Sequence, residues 1–177
     1  MSSAQRVCAA NGPARVQLWG SGTILNEALR AQKLLWEKFQ IPADVWSVTS
    51  YNQLRSDALE TERWNRLHPA APPRKPYIQQ VMEATEGPIV AASDYMKVLS
   101  DQLAPWLAGR LVSLGTDGFG RSDSRPYLRR FFEVDAESIT AAAVERLARW
   151  GELSLEQAQR AIIELGLDPE KPYAVKA

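Results

Sequence analysis

The chain has 177 residues, 45% of them hydrophobic, and its 21 basic residues balance 21 acidic ones. That length suits one domain with a sizeable core, and the charge balance provides no general attraction for nucleic acid or an anionic membrane. A single cysteine (Cys8) and a single histidine (His68) exclude an intrachain disulfide, a thiolate metal site and a multi-histidine metal site. Because no apolar run approaches the ~20 residues that cross a bilayer, and no signal peptide is evident, we expect a soluble cytoplasmic domain.

The pattern of strands and helices begins after the first fourteen residues. Residues 1–14 are small, polar and interrupted by glycine and proline, which predicts a linker or disordered lead-in to a domain covering residues 15–177. Predicted strands cover residues 16–19, 45–49, 88–92 and 111–114, and predicted helices cover residues 23–39, 50–59, 77–84 and 95–103. Four prolines in residues 62–76 predict an extended excursion there.

The last third of the sequence is predicted to be helical. Asp135 is the expected N-cap of a helix that ends near Trp150, with Gly151 supplying the left-handed exit. Ser154 and Gln157 have the spacing of a capping box for the final helix. Strands that alternate with helices predict an α/β fold in three layers, with a mostly parallel sheet between the helices.

Residues 114–135 (LGTDGFGRSDSRPYLRRFFEVD) are the most informative segment of the chain. The segment follows a short predicted strand and precedes a helix, where an α/β fold would place a functional loop. Asp117, Arg121, Asp123 and Arg125 alternate in sign, which predicts a fixed salt-bridge network. A well-capped turn from strand to helix is the alternative interpretation.

Arginines recur at every fourth residue of this segment. A helix that began near Ser124 would align Arg125 and Arg129 on one face. Such a face could hold a phosphate or the carboxylate of a partner, and a partly buried ion-pair lattice is the alternative.

Two other segments are candidate sites. Residues 20–22 (Gly-Ser-Gly) lie between a strand and a helix, as in a dinucleotide-binding fingerprint, but Leu25 stands where the third glycine belongs, which favours a tight turn. His68 is a candidate general acid or base, with a surface or interface hydrogen bond as the alternative. Trp64 is expected in a loop, where it could anchor a contact with a partner.

Seven motifs occur in the order typical of one enzyme family. They are VQLWGSGTIL, DVWSVTS, ERWNRLHP, PYIQQVM, SDYMK, LGTDGFGRSDSR and FEVD. On these motifs, from about Arg15 to the C-terminus, the chain resembles the C-terminal domain of the homodimeric, thiamine-diphosphate-dependent pyruvate dehydrogenases (acetyl-transferring). The Gly-Arg-Ser-Asp-Ser-Arg run favours this family over transketolase proper.

The resemblance implies a fold and a reaction. The fold would be like the transketolase C-terminal domain, with a mixed, mostly parallel sheet of about five strands. The family enzyme is a homodimeric oxidoreductase that belongs to glycolysis and to the pyruvate dehydrogenase complex. It decarboxylates pyruvate and passes the acetyl group to a lipoyl-bearing acetyltransferase. Thiamine diphosphate and Mg²⁺ are its cofactors.

The family's catalytic residues have no counterpart in this sequence. The Mg²⁺ motif is Gly-Asp-Gly followed by a paired Asn, whereas here Thr116, Asp117 and Gly118 are followed by no Asn. The sequence therefore predicts no catalytic, cofactor-binding or metal-binding residue, and no catalytic activity of the chain by itself.

What remains is a structural role. We expect a fragment or split subunit that supports the catalytic domains and the dimer interface. The expected contacts at a domain or subunit junction come from Asp117, Arg121, Asp123, Arg125, His68 and Trp64. Alternatives are a non-catalytic interaction module that keeps the fold and, with least support, an independent nucleotide-binding protein.

Overall fold

A five-stranded mixed sheet forms the centre of the molecule in a computed structural model that describes residues 3–8 and 15–176. The strands are β1 (Ala4–Cys8), β2 (Val16–Gly20), β3 (Ala43–Val48), β4 (Ile89–Ala92) and β5 (Leu111–Leu114). Their order across the sheet is β1-β3-β2-β4-β5, and β2 to β5 are parallel whereas β1 is antiparallel to β3. The prediction of a mostly parallel, mixed sheet of about five strands is confirmed.

Strand β1 lies within the segment that was predicted to be a lead-in. Ala4 pairs with Val48 and Arg6 with Trp46, so the linker prediction is wrong for residues 4–8. The local composition is a poor strand signal, and the exposed edge of β3 supplies the partner that stabilises it. Residues 1–2 and 9–14 of the predicted lead-in, and residue 177, lie outside the described residues.

Seven α-helices cover the two faces of the sheet in the described part of the chain. They are α1 (Leu25–Phe39), α2 (Tyr51–Leu67), α3 (Tyr77–Glu83), α4 (Val98–Asp101), α5 (Arg125–Phe131), α6 (Ala136–Arg149) and α7 (Leu155–Glu164). Alternate residues of each strand point to opposite faces. Accordingly Leu18 and Val90 pack in one core with α1, α6 and α7, while Trp19 and Ala91 pack in a second core with α2 and α3. The three-layer prediction is confirmed.

Side-chain caps form at three helix N-termini, two of which, at Asp135 and Ser154, are predicted from the sequence. Ser50 Oγ accepts from the backbone N–H of Gln53, and the Asp135 carboxylate accepts from that of Ser138. Ser154 and Gln157 form the predicted capping box. These caps place the start of α2, α6 and α7 with respect to the sheet.

Two helix boundaries differ from the sequence expectation. Helix α2 continues to Leu67, so residues 62–67 of the predicted extended excursion are helical and only the prolines from Pro69 onward are not. The helix predicted over residues 95–103 is reduced to α4, because Tyr95 and Lys97 bond the neighbouring loop through their backbones. No helix in the described residues is long and apolar enough to cross a membrane.

Candidate functional site

The carboxyl ends of β2, β4 and β5 meet at one edge of the sheet. After β2 the chain enters α1 on one face, whereas after β4 it enters α4 on the other face. Such a switch point opens a crevice where doubly wound sheets bind ligands. Here a cleft of about 330 Å³ lies at that edge, lined by Thr23, Ile24, Asp94, Thr116, Gly118, Gly120, Arg121, Arg125, Leu128, Arg129, Phe132 and Val134. We call it the switch-point cleft.

The loop after β5 is anchored to the segment after β4. Thr116 donates its backbone N–H to the Tyr95 carbonyl at 2.9 Å and its hydroxyl to the Asp94 carbonyl at 2.9 Å. Asp117 Oδ1 accepts from the backbone N–H of Lys97 at 3.1 Å. The first residues of the loop are therefore held in place, although the segment after Asp117 is exposed.

Two glycines permit this close packing. A Cβ on Gly115 would lie 2.5 Å from the Tyr95 carbonyl oxygen. Any residue other than glycine at this position would therefore force the loop away from the segment after β4. Gly118 has a φ of +99° and packs against the backbone of Ala174 and Val175. The loop therefore joins the segment after β4 to the C-terminal segment.

The salt-bridge network predicted among the alternating charges is wrong. Asp117 lies 4.0 Å from Lys97 Nζ, and Arg121 lies over the ring of Phe131 at 4.1 Å. Asp123 accepts from the backbone N–H of Ser124, and the Arg125 side chain makes no ion pair or hydrogen bond within the described residues. Neighbouring residues of an extended loop point toward different parts of the protein. Opposite charges that alternate along the loop therefore do not pair with one another.

An ion-pair lattice does form, but around Glu27, a buried glutamate of α1 that is not among the predicted site residues. Glu27 is 3% exposed, and its carboxylate accepts from Arg129 and Arg30 at 2.7 Å each and from the backbone N–H of Ala136 at 3.1 Å. The ion-pair alternative for Arg129 agrees with this geometry. A glutamate on the apolar face of a predicted amphipathic helix is the signal that could have identified it.

The lattice continues along α5 and α6. Arg130 Nε lies 2.6 Å from Asp135, and its Nη2 lies 3.3 Å from Glu137. Lys171 donates to the carbonyls of Arg130 and Phe131 at 2.9 and 2.8 Å. These contacts fix α5 as one wall of the switch-point cleft.

His68 and Trp64 lie together at the C-terminal end of α2. Their rings stack with centroids 4.4 Å apart, and His68 Nδ1 lies 2.8 Å from the Trp64 carbonyl oxygen. The Arg74 guanidinium lies 3.5 Å from the Trp64 ring. His68 is exposed and pairs with no carboxylate in the described residues, which agrees with the surface hydrogen bond and not with acid–base work. Trp64 belongs to the helix and not to a loop.

The turn at residues 20–22 is tight, as the sequence favoured. Ser21 Oγ donates to the Val48 carbonyl at 2.8 Å, and a Cβ on Gly20 would lie 2.5 Å from Leu25 Cα. The Thr23 hydroxyl caps no helix and donates to the Asp94 carboxylate at 3.3 Å. The turn therefore places Thr23, the residue that follows it, in the lining of the switch-point cleft.

Asp117 does not fit the role of a Mg²⁺ ligand for a cofactor diphosphate. Its carboxylate is already bonded to the Lys97 backbone and lies beside the Lys97 ammonium. The described residues contain no group of three or more histidine, cysteine, aspartate or glutamate side chains arranged to hold a metal ion. No step of thiamine chemistry follows from these residues.

Beside the cleft lies an exposed apolar surface, which we call the tip patch. It consists of Tyr95, Met96, Phe119, Tyr173 and Val175, of which Phe119 is 87% exposed. Their segments touch: Lys97 donates to the Tyr173 hydroxyl at 2.7 Å, and Gly118 packs on Val175. An exposed aromatic on an anchored loop is typical of a contact surface.

These features define a three-layer α/β domain whose most elaborate surface lies at the carboxyl ends of the strands. The chain belongs to the family of transketolase-like TK C-terminal domains, whose model matches residues 4–135. Among solved structures it is similar to a transketolase from Leishmania mexicana, with a TM-score of 0.54 and 19% identity over 83% of this chain and 18% of that one. A split-gene transketolase described as an inactive beta4 tetramer matches with a TM-score of 0.56 and 18% identity, over 84% of this chain and 44% of that one.

The curated relatives are pyruvate dehydrogenase E1 components. That of Pseudomonas aeruginosa is 50% identical over 157 residues, which is 88% of this chain and 18% of the relative. That of Escherichia coli K12 is 45% identical over 158 residues, 89% of this chain and 18% of the relative. The chain thus spans about a fifth of the length of these relatives.

Proposed function

We propose that this chain is the C-terminal domain of a cytoplasmic, thiamine-diphosphate-dependent pyruvate dehydrogenase E1 enzyme, present as a fragment or split subunit. In that enzyme pyruvate is decarboxylated and its acetyl group passes to the lipoyl group of an acetyltransferase. The domain's part is to dock against the catalytic domains and to extend the homodimer interface. The identity of 50% to an E1 component over 88% of the chain supports this assignment.

The exposure of Phe119 carries the docking proposal. A phenylalanine that is 87% exposed in water costs hydrophobic free energy, which a partner surface would recover. The loop around it is anchored through Asp117 and Gly115, so little ordering entropy would be lost on docking. Tyr95 and Met96 add apolar area, and Arg121 lies at the edge, a composition found in protein interfaces.

The catalytic site belongs to the missing part of the enzyme in this proposal. Since Asp117 is engaged by Lys97, we expect the purified chain neither to bind thiamine diphosphate nor to decarboxylate pyruvate. Titration calorimetry with thiamine diphosphate and Mg²⁺ tests this, and saturable binding would contradict it. The split-gene transketolase of similar fold, described as an inactive beta4 tetramer, is a precedent for a domain of this fold on a separate chain.

Docking can be tested in a chimera of the Pseudomonas aeruginosa E1 component in which this chain replaces the matching segment. The chimera should be an active dimer, and Phe119→Asp should weaken both dimerisation and pyruvate decarboxylation. Leu155→Asp is the matched control, because Leu155 is 73% exposed on α7 and lies outside the tip patch. Sedimentation velocity and steady-state kinetics give the two readouts.

Three outcomes would count against the proposal. Equal activity and equal dimerisation of the Phe119→Asp and Leu155→Asp chimeras would exclude the tip patch as a docking surface. Full activity of an Asp117→Ala, Arg121→Ala double variant would show that the loop makes no essential contact at the junction. A folded but inactive, monomeric chimera would favour the alternative, a non-catalytic interaction module.

A further inference from the structure

Two arginines of the switch-point cleft have no carboxylate partner. Within the described residues the Arg125 side chain makes no ion pair, hydrogen bond or ring contact, and the Arg121 side chain contacts only the ring of Phe131. Both line the cleft. Two guanidinium groups on one concave surface repel each other, and an anion held between them would relieve that repulsion.

The other charges of the cleft do not neutralise this pair. Arg129 is balanced by the buried carboxylate of Glu27 at 2.7 Å. Asp94 is the one acidic side chain of the lining, and its carboxylate accepts the Thr23 hydroxyl. The cleft therefore keeps a net positive charge from Arg121 and Arg125 against Asp94.

The backbone of the loop adds donors. Gly118 and Gly120 line the cleft, and the N–H groups of both donate to no other group within the described residues. A Cβ on Gly120 would meet nothing within 4 Å, so the space beside this residue is open. Backbone N–H groups beside arginines are a recurrent arrangement around phosphate and other oxyanions.

The cleft is also in the right place and of the right size for a small ligand. It lies outside the carboxyl ends of β2 and β4, at the switch point of the sheet, and its volume is about 330 Å³. Ligand pockets of this volume accept small metabolites. The exposed apolar side chains of the tip patch are not part of its lining, and of the two arginines only Arg121 lies at the edge of that patch.

We propose that the switch-point cleft binds a small oxyanion of the phosphate class, held by Arg121 and Arg125 and by the loop backbone. A dianion matches the two guanidinium groups better than a monoanion does. The Asp94 carboxylate repels an anion from the end of the cleft beside Thr23, which leaves the ligand nearer the arginines. The proposal does not depend on docking, because the site is complete within this chain.

The test is a titration of the purified chain with inorganic phosphate, followed by amide chemical shifts at constant ionic strength. Saturable binding in the millimolar range or tighter is expected, with the largest shifts at residues 116–121. Arg125→Gln and Arg121→Gln should each weaken binding about tenfold or more. Arg160→Gln on the exposed face of α7 is the matched control and should leave the dissociation constant unchanged.

The outcomes separate the proposal from its alternatives. Absence of saturation, or equal affinity of Arg125→Gln and Arg160→Gln for phosphate, would overturn it. Acetate that binds as tightly as phosphate would overturn the assignment to the phosphate class. Since the measurement uses this chain alone, failure of the chimera to dimerise would leave the result intact, and the two proposals fail independently.

Discussion

Arg129 Nη1 lies 2.7 Å from Glu27 Oε1 and thereby joins α5 to the first turn of α1 across 102 positions of sequence. The same carboxylate accepts from Arg30 and from the backbone N–H that begins α6. One buried glutamate thus fixes three helices around the switch-point cleft. A buried carboxylate with three donors stabilises the fold only as long as all its partners remain.

Glu27→Gln should destabilise the chain by about 2–4 kcal/mol, because the amide removes the charge and turns an N–H₂ group toward Arg129 or Arg30. The change in the urea unfolding midpoint measures it. Glu37→Gln on the same helix is the control, since Glu37 is exposed and its Lys33 pair spans 3.7 Å. That control should cost less than about 0.5 kcal/mol. Equal losses in the two variants would refute a structural role for the buried lattice.

Gly115→Ala should destabilise the chain and detach the loop from the segment after β4. The new Cβ would lie 2.5 Å from the Tyr95 carbonyl oxygen and 2.9 Å from the Lys97 nitrogen, so the backbone must move. A loss of about 1–3 kcal/mol is expected from overpacking of this kind. Thermal unfolding followed by circular dichroism measures it.

Gly120→Ala, five residues further along the same loop, is the control for this substitution. A Cβ there meets nothing within 4 Å, and its φ lies outside the left-handed region. We expect a change within about 0.5 kcal/mol, with a slight gain from the lower entropy of the unfolded chain. If both alanines were equally costly, the close approach of Tyr95 to Gly115 would not be the cause.

Local signals predicted most of the fold. The caps at Asp135 and Ser154 depend only on residues within the next helical turn, so the local sequence predicts them. A strand such as β4 is likewise recognisable as a short apolar run between turns. Strand β1 was missed because its stability comes from β3, some forty residues away, and not from its own composition. Helix α2 extends to Leu67, beyond its predicted end, because a proline restricts the helix only from the residue before it, and the first proline is Pro69.

The candidate site was predicted less well, for a physical reason. The loop does lie between a strand and a helix, β5 and α5, but the partners of its charges are set by tertiary packing: Lys97 for Asp117, the Phe131 ring for Arg121 and Glu27 for Arg129. Each partner lies on another element or beyond a turn. Spacing along the chain could align Arg125 with Arg129 on α5, but it could not tell which of the two would be paired.

Arg110 joins the end of α3 to the start of β4, and its loss should be costly. Its Nε donates to the Gly87 carbonyl at 2.7 Å and its Nη1 to the Met82 carbonyl at 2.9 Å. Burial lowers the pKa of Arg110 from its usual value, so the surrounding carbonyls offset a desolvation cost. Arg110→Met removes both hydrogen bonds, leaves the Met82 carbonyl with Thr85 as its remaining donor, and should cost about 2–4 kcal/mol in urea unfolding.

Arg55→Met is the control for Arg110. Arg55 is exposed on α2, and its side chain makes no hydrogen bond or ion pair within the described residues. It should change the free energy of unfolding by less than about 0.5 kcal/mol. A comparable loss in both variants would mean that the removal of positive charge, and not the lost hydrogen bonds, destabilises the chain.

Tyr51 should make the stability of the chain depend on alkaline pH. Burial, and secondarily the nearby Tyr95, raises the pKa of the Tyr51 hydroxyl far above its ordinary value near 10. Between about pH 10 and the higher native pKa, the unfolded state therefore loses a proton that the native state keeps. The neutral hydroxyl contributes stability below about pH 10, and that contribution is lost as the pH rises, by up to about 1.4 kcal/mol per pH unit.

Tyr51→Phe removes this titration and should flatten the alkaline part of the stability curve. The Tyr51 hydroxyl is buried and has no hydrogen-bond partner within the described residues, so the substitution should be neutral or slightly stabilising at pH 7. Urea unfolding at a series of pH values from about 7 to 11 compares the wild type, Tyr51→Phe and the control Tyr127→Phe, whose ring is 54% exposed. The control should keep the wild-type slope above about pH 10. If the unfolding free energy of Tyr51→Phe fell as steeply with pH as that of the wild type, the alkaline loss would come from other groups, because the variant has no hydroxyl proton to lose at residue 51.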